Sequence, residues 1–187
     1  MTRAANTDVA VRIGDLHALA GGAPGRLVTV GLGSCVGVAL IDEQSGAAAL
    51  AHVFLPEQPA GGPREGAGLG TYADVAIPEL VRSLHALVGS RSKGRFVAVI
   101  AGGACMFSGR TGADVGDRNV AAVRAALVAQ GVAIAAEDVG GARGRTMRVE
   151  PGPAASVTVR VVGGTDQELW TGAPTKSREV TSLLRAA

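Results

Sequence analysis

Three closely spaced apolar segments constrain the fold of this chain more than any other feature of its sequence. Residues 27–32, 36–41 and 48–55 each have the length of a strand, and only a few residues separate one segment from the next. The residues between the second and third segments, DEQSG, are typical of a hairpin loop. The sequence therefore predicts three neighbouring strands, the last two paired antiparallel.

Two helices and several further strands are expected in the rest of the chain. Apolar residues recur at helical spacing over residues 72–88, and Pro78 indicates that this helix begins near Ala76, because proline is tolerated in the first turn. A second helix is expected to begin after an N-cap at Asp117 and to stop at Gly131. The further strands are expected at residues 9–13, 96–101, 132–139, 146–150 and 157–162.

These elements predict a single α+β domain, a layered α/β sandwich of mixed or antiparallel strands with two main helices. A chain of 187 residues can bury one substantial core and hardly two. We expect a flexible N-terminal tail at residues 1–8, the folded domain at residues 9–165 and a peripheral C-terminal extension at residues 166–187.

The composition argues against several classes of function. The net charge is only +2 and aromatic residues make up 3% of the chain, which disfavours nucleic-acid binding. No apolar run approaches the roughly 20 residues that a membrane span needs. The N-terminus also lacks the apolar core of a signal peptide. We therefore expect a cytoplasmic protein.

One cysteine and one histidine stand where the predicted strands could bring them together. Cys35 lies at the bend before the second strand, and His52 lies on the third. A hairpin loop centred near residue 44 would place Cys35 opposite residue 53, within a cross-strand or diagonal step of His52. A slip of one residue would reverse the face. If the faces agree, the imidazole can take the thiol proton and activate the sulfur as a nucleophile.

Residues beside this pair could complete a catalytic site. Thr29 on the preceding strand is a candidate to bond the second imidazole nitrogen and so fix the orientation of the ring. The backbone N–H groups around Ser34 and Cys35, next to Gly33, could stabilise an oxyanion. Together they suit acyl transfer through a thioester. The strand alternation predicts three apolar residues on the face opposite Thr29, namely Val28, Val30 and Leu32.

Other interpretations of these residues remain open at this point. A cysteine between glycines is often simply buried in the core. A disulfide between Cys35 and Cys105 is disfavoured in a protein without an export signal. The Gly-rich turn lacks the lysine of a phosphate-binding loop. No His, Cys or carboxylate cluster has the spacing of metal ligands, so neither a metal nor a cofactor is expected.

Six blocks of sequence resemble CheD, the family of bacterial chemoreceptor glutamine deamidases. They lie in the family's order and span about residues 10–165. The blocks are TVGLGSCVGVAL at 29–40, AH and LP within 51–56, YADVAIPEL at 72–80, IAGGA and MF within 100–107, GDRNV at 116–120, and AEDVGG and GRT within 136–146.

The resemblance implies a cysteine hydrolase, a protein-glutamine glutaminase. It would convert selected glutamine side chains of methyl-accepting chemotaxis receptors to glutamate and release ammonia. On matching positions Cys35 is the nucleophile, His52 the general base and Thr29 the residue that orients the histidine. The substrate would be the cytoplasmic helices of the receptors.

The resemblance also implies a partner, CheC, which is a phosphatase of the response regulator. Met106 and Phe107 are candidates for that contact as adaptable apolar anchors, although they could equally fill the core. Cys105 departs from the family pattern. Two alternatives stay open: a protein that mainly binds and regulates a CheC-type phosphatase, and a glutamyl methyl-ester hydrolase.

Overall fold

The computed structural model describes residues 7–89, 96–105 and 113–172, and these ranges contain ten strands and two helices. The strands are β1 (Asp8–Ala10), β2 (Leu16–Leu19), β3 (Arg26–Leu32), β4 (Val36–Asp42), β5 (Ala48–Val53), β6 (Phe96–Gly102), β7 (Ala133–Val139), β8 (Arg145–Glu150), β9 (Ser156–Val161) and β10 (Gln167–Thr171). The helices are α1 (Ala73–Val88) and α2 (Ala113–Ala129).

The strands form two five-stranded sheets. The central sheet has the order β2-β5-β4-β6-β7, and the outer sheet has the order β1-β3-β8-β9-β10. The β1–β3 and β6–β7 pairs are parallel, and the other pairs are antiparallel. One face of the central sheet packs against both helices, and its other face packs against the outer sheet. The predicted α+β layered sandwich is therefore confirmed.

Strand β4 lies in the middle of the central sheet and is buried along its whole length. Its side chains alternate between the two apolar layers of the molecule. Val36, Val38 and Leu40 face the helices. Ala39 and Ile41 face the outer sheet. Because both faces of β4 are covered, a polar group on this strand must find its partners inside the protein.

Both helices begin earlier than the sequence predicted. Helix α1 begins at Ala73 rather than near Ala76, because the Ala73 N–H bonds the carbonyl of Leu55 and fixes the entry to the helix. Pro78 therefore lies inside α1. Helix α2 begins at Ala113, so Asp117 is a residue of the helix and not its N-cap. Neither described helix is long and apolar enough to cross a membrane.

Two strands were not expected from the sequence. Strand β2 pairs with β5 at one end of the central sheet. Strand β10 pairs with β9 at an edge of the outer sheet, and its Trp170 packs against the apolar layer between the sheets. Each is only four or five residues long, so its alternation carries little signal.

Candidate active site

The β4–β5 hairpin places Cys35 and His52 on the same face of the central sheet. Gly37 lies opposite His52, one residue away from the predicted register, and Cys35 precedes Gly37 by two residues. Cys35 and His52 are thus diagonal neighbours that both face the outer sheet. The main-chain N–H of His52 donates to the Asp15 carbonyl, and the His52 carbonyl accepts from the Gly14 N–H. Both groups therefore point to the side of β5 that faces away from β4. His52 and Gly37 therefore form a pair without mutual hydrogen bonds, the arrangement in which side chains lie closest.

A β-bulge in β3 turns Thr29 toward the same space. Thr29 lies opposite Met147 and Leu32 lies opposite Arg145, so β3 has one extra residue over this stretch. Gly31 adopts φ of +75°, a conformation that suits glycine in a bulge. The bulge makes Thr29 and Leu32 both face inward, and both are essentially fully buried.

The predicted alternation along β3 was therefore right at Val30, which lies on the face opposite Thr29, and wrong at Leu32. Val30 is 63% exposed on the outer face, whereas Leu32 is 0% exposed and faces the core. The extra residue in the bulge shifts the alternation by one, which separates Leu32 from the face of Val30. Leu32 fills the space above Gly37, where a Cβ atom would lie 2.9 Å from its Cδ1.

Thr29 and His52 are joined by a short hydrogen bond between the two sheets. The Thr29 Oγ1 atom lies 2.7 Å from His52 Nδ1. When Nδ1–H donates to this hydroxyl, the lone pair of the ring is on Nε2. His52 Nε2 is buried and has no hydrogen-bond partner among the residues that the structure describes. The arrangement therefore holds a histidine with one oriented nitrogen and one nitrogen available to accept a proton.

Burial keeps both members of the Cys/His pair neutral. Removal from water lowers the pKa of His52 to about 4, an effect that the Asp15 carboxylate partly opposes. Removal from water also raises the pKa of the Cys35 thiol, and its own backbone N–H partly offsets this. The resting site near neutral pH is thus a thiol beside a neutral imidazole, and not a thiolate–imidazolium ion pair. The thiol proton must be transferred as the sulfur attacks.

Three hydrogen bonds hold the carbonyl groups of the turn that carries Cys35. The Gly33 carbonyl accepts from the Ala104 N–H at 2.7 Å, and the Cys35 carbonyl accepts from the Gly103 N–H at 2.8 Å. The Ser34 carbonyl accepts from the side-chain Nδ2 of Asn119 at 2.9 Å. Within the described part of the chain, no main-chain acceptor is recorded for the N–H of Ser34 or Cys35, and the Cys35 N–H interacts with its own thiol. No carbonyl of the described residues therefore competes with a ligand for these two N–H groups.

Several residues considered in the sequence lie elsewhere. Met106 and Phe107 lie outside the described residues. Cys35 and Cys105 are thiols and do not form a disulfide with each other. Cys105 is half-buried, and its N–H bonds the Gly141 carbonyl at 2.8 Å. Across residues 7–89, 96–105 and 113–172, no cluster of His, Cys, Asp or Glu side chains is suited to hold a metal ion.

Two buried polar side chains, Asn119 and Arg145, lie beside the turn. Asn119 of α2 is 0% exposed and reaches the turn across the layer interface. Arg145 is 7% exposed; it pairs with Asp138 at 2.8 Å and donates to the Gly140 carbonyl. It thereby holds the loop whose Gly141 carbonyl accepts from Cys105. Both belong to sequence blocks that resemble the CheD family.

Known proteins with similar sequences show the family of this chain. A family model described as CheD chemotactic sensory transduction matches residues 54–161. A protein of Clostridium botulinum named probable chemoreceptor glutamine deamidase CheD is 40% identical over 161 residues, covering 84% of this chain and 95% of the relative.

A protein of Thermotoga maritima named chemoreceptor glutamine deamidase CheD is 42% identical over 146 residues, which cover 77% of this chain and 87% of the relative. A protein of the same name from Halalkalibacterium halodurans is 40% identical over 149 residues, which cover 78% of this chain and 89% of the relative. The matches extend over most of the folded domain and most of each relative. This chain belongs to the CheD family.

Proposed function

We propose that this chain is a chemoreceptor glutamine deamidase, a hydrolase that converts glutamine side chains of chemotaxis receptors to glutamate. The names of its relatives support the reaction and the substrate. The observation that carries the proposal for this chain is the hydrogen bond from Thr29 to His52, with Cys35 diagonal to that histidine on the same face. A hydroxyl, an imidazole and a thiol in this order form a catalytic triad in which each member has one role.

In the first half of the reaction, Cys35 Sγ attacks the carboxamide carbon of the substrate while His52 Nε2 takes the thiol proton. The carbonyl π electrons move to oxygen, and the N–H groups of Ser34 and Cys35 stabilise this oxyanion. The intermediate then collapses, the C–N bond breaks, and the proton on His52 goes to the departing nitrogen as ammonia forms. A thioester on Cys35 remains.

In the second half, water attacks the thioester carbon and His52 accepts a proton from that water. The C–S bond breaks, His52 gives its proton to the sulfur so that Cys35 returns to the thiol form, and the new carboxylic acid leaves and loses its own proton to water. In both halves the Thr29 hydroxyl accepts a hydrogen bond from the Nδ1–H of His52, and this keeps the lone pair of the imidazole on Nε2.

Burial of the nucleophile favours a side-chain amide over a main-chain peptide as substrate. Cys35 is 6% exposed, and His52 and Thr29 are 0% and 1% exposed. A peptide bond in a folded helix cannot approach a sulfur at this depth. The carboxamide of glutamine stands on two methylene groups and can extend further toward a buried sulfur, so the site suits deamidation better than proteolysis.

The cellular context and the partner follow from the same proposal. A deamidase of the cytoplasmic helices of receptors acts in the cytoplasm. A CheC-type phosphatase of the response regulator is the proposed regulatory partner, with Met106 and Phe107 as the proposed anchors of that contact.

The test is mass spectrometry of receptor cytoplasmic fragments incubated with wild type, with Cys35→Ala and with Cys105→Ser as the matched thiol control. Wild type and Cys105→Ser should produce the mass gain of deamidation together with ammonia, and Cys35→Ala should produce neither while keeping its circular dichroism spectrum. Deamidation by a folded Cys35→Ala protein would refute the proposal. Receptor fragments carrying glutamyl methyl esters, run in parallel, separate amidase from esterase activity.

A further inference from the structure

We propose that Asn119 is a positioning residue for the reaction: it holds the Ser34 carbonyl so that the Cys35 N–H points at the oxyanion. This inference rests on the proposed function, since it assigns a role within the thioester chemistry at Cys35. Asn119 lies on α2, 85 residues from Ser34 in the sequence, and does not belong to the triad.

The side-chain amide of Asn119 is fully engaged on its donor side. Nδ2 donates to the Ser34 carbonyl at 2.9 Å and to the Phe54 carbonyl at 3.0 Å. The two carbonyl partners fix the orientation of the amide, because an oxygen in the place of Nδ2 would face two other oxygens. Asn119 is 0% exposed, so water does not compete for these bonds.

The planarity of the peptide bond converts this contact into control of the Cys35 N–H. The Ser34 C=O and the Cys35 N–H belong to one peptide unit, which is trans. In a trans unit the two groups point in opposite directions. When Asn119 fixes the Ser34 carbonyl toward α2, the Cys35 N–H is fixed in the opposite direction, on the side of its own thiol, and no main-chain acceptor is recorded for it among the described residues.

The neighbouring peptide unit follows the same rule with a different anchor. The Gly33 carbonyl accepts from the Ala104 N–H at 2.7 Å, which sets the direction of the Ser34 N–H. One donor of the oxyanion site is therefore set by a backbone contact and the other by a single side chain. Substitution of Asn119 can thus disturb one donor and leave the other in place.

Glycines at the contact between α2 and the end of β6 let Asn119 reach the turn. A Cβ atom on Gly103 would lie 2.3 Å from Val120 Cγ2, and one on Gly116 would lie 2.6 Å from the Gly103 carbonyl oxygen. The helix backbone can approach β6 this closely only because both side chains are absent. The second bond of Asn119, to Phe54, ties the same helix to the segment that follows His52 and β5. Asn119 thus links the strand ends that carry the nucleophile and the base.

The experiment compares two reactions of Cys35 that differ in their need for an oxyanion site. Alkylation by iodoacetamide displaces iodide at a saturated carbon and develops no charge on a carbonyl oxygen. An aldehyde analogue of the glutamine side chain instead adds reversibly to the thiol. A C–S bond forms, the C=O π electrons move to oxygen, that oxygen receives the thiol proton, and nothing leaves.

Addition of the aldehyde is measured as protection of Cys35 against alkylation, in wild type, Asn119→Leu and Asn119→Ser. The serine variant leaves room for a water molecule at the two carbonyls, so a folded protein is retained even if the leucine variant does not fold. Val123→Ala, at another buried position of α2 whose apolar side chain belongs to the layer between the helices and the central sheet, is the control for weakened helix packing.

We expect the aldehyde concentration for half-protection to rise at least about tenfold in the Asn119 variants, and kcat for deamidation to fall about 10- to 100-fold with little change in KM. The alkylation rate without aldehyde should stay within about twofold of wild type in the Asn119 variants, because alkylation does not depend on the oriented N–H. All readings for Val123→Ala should stay within about twofold of wild type, because this substitution keeps the bond from Asn119 to the Ser34 carbonyl.

Unchanged aldehyde protection in a folded Asn119 variant would overturn the proposal. So would a parallel fall in alkylation and protection, because that result would make Asn119 a general support of the turn. If wild type does not deamidate receptor fragments yet the aldehyde results are as expected, the proposed function fails and the role of Asn119 stands.

Discussion

The two faces of strand β4 have the same secondary structure and the same burial but different chemistry. The face toward the helices is apolar throughout, formed by Val36, Val38 and Leu40. The face toward the outer sheet contains Gly37 and small or apolar residues, and at the N-terminal end of β4 it meets Cys35, His52 and Thr29. One face only holds the layers together, whereas the other also contains the candidate chemistry.

The difference shows how a sandwich can form a reactive site without a deep cleft. Gly37 leaves space between the sheets, and Leu32 and Met147 fill most of it. The remaining polar groups pair across the two sheets, since Thr29 comes from the outer sheet and His52 from the central one. Water is excluded by the same packing that stabilises the fold, and this exclusion keeps the thiol and the imidazole neutral.

Paired substitutions on the two faces should separate catalysis from stability most strongly. His52→Gln removes the proposed base and should lower kcat by about 10²- to 10⁴-fold. Leu40→Ala on the helix face should lower the free energy of unfolding by about 2–5 kcal/mol and leave kcat per folded molecule near wild type. Steady-state kinetics and urea denaturation of both variants check this, and a catalytic loss in Leu40→Ala equal to that in His52→Gln would remove the distinction between the faces.

The free energy of unfolding should depend on pH in the acid range because His52, which faces the outer sheet, is buried. The pKa of His52 is about 4 in the folded protein and near 6.5 when unfolded. The unfolded chain therefore binds the proton first as pH falls, so the free energy of unfolding should decrease from about pH 6.5 downward, by up to about 3 kcal/mol below pH 4.

A His52→Leu variant provides the comparison for this pH effect, because it lacks the group and keeps the carboxylates. Denaturation curves at several pH values should show about 2 kcal/mol less acid destabilisation in the variant at pH 5. Identical slopes for the two proteins would mean that His52 is not held neutral by burial.

The hydroxyl of Thr29 should matter for orientation and less for packing. Thr29→Val keeps the shape but leaves His52 Nδ1 without its partner, and we expect kcat to fall about 10- to 100-fold together with the alkylation rate of Cys35. Thr29→Ser retains the hydroxyl and should stay within a few-fold of wild type. Equal activity of the valine and serine variants would show that the bond does not orient the base.

The smallest expected effect concerns the bulge that turns Thr29 inward. Gly31 has open space around its Cα but a φ of +75°, so Gly31→Ala should cost about 1–2 kcal/mol from backbone strain and cause no steric clash. Gly61 also has open space and does not have a positive φ, so Gly61→Ala is the matched control and should be nearly neutral. Thermal denaturation of the two variants distinguishes strain from volume.

The sequence predicted the layered fold and the approach of Cys35 to His52 because both follow from alternation and a short loop. It missed the register by one residue, since that depends on the geometry of the loop. In the structure the Asp42 carboxylate accepts from the N–H and hydroxyl of Ser45, and the Asp42 N–H bonds Ala47. Such local bonds shift the centre of a hairpin by half a residue, which is enough to change the face.

The bulge between Thr29 and Leu32 and the partner of Asn119 could not be predicted from the sequence for another reason. Both depend on contacts with the backbone of distant segments. Because nearly every residue offers the same backbone groups, the residue type at the partner position does not reveal such a contact. The exposed Val30 and buried Leu32 follow from the pairing of β3 with β8, more than 100 residues later in the chain. The bond from Asn119 likewise ends on a main-chain carbonyl.

The bridging of two sheets by Thr29 and His52 also has a consequence for the order of folding. The β4–β5 hairpin can bring the thiol and imidazole together early, because only a short loop separates its strands. The hydroxyl comes into place only after β3 has paired with β8 and the outer sheet has docked. During refolding, tryptophan fluorescence and enzymatic activity should therefore recover after the central hairpin has formed, which makes activity a reporter of the last docking step of this sandwich.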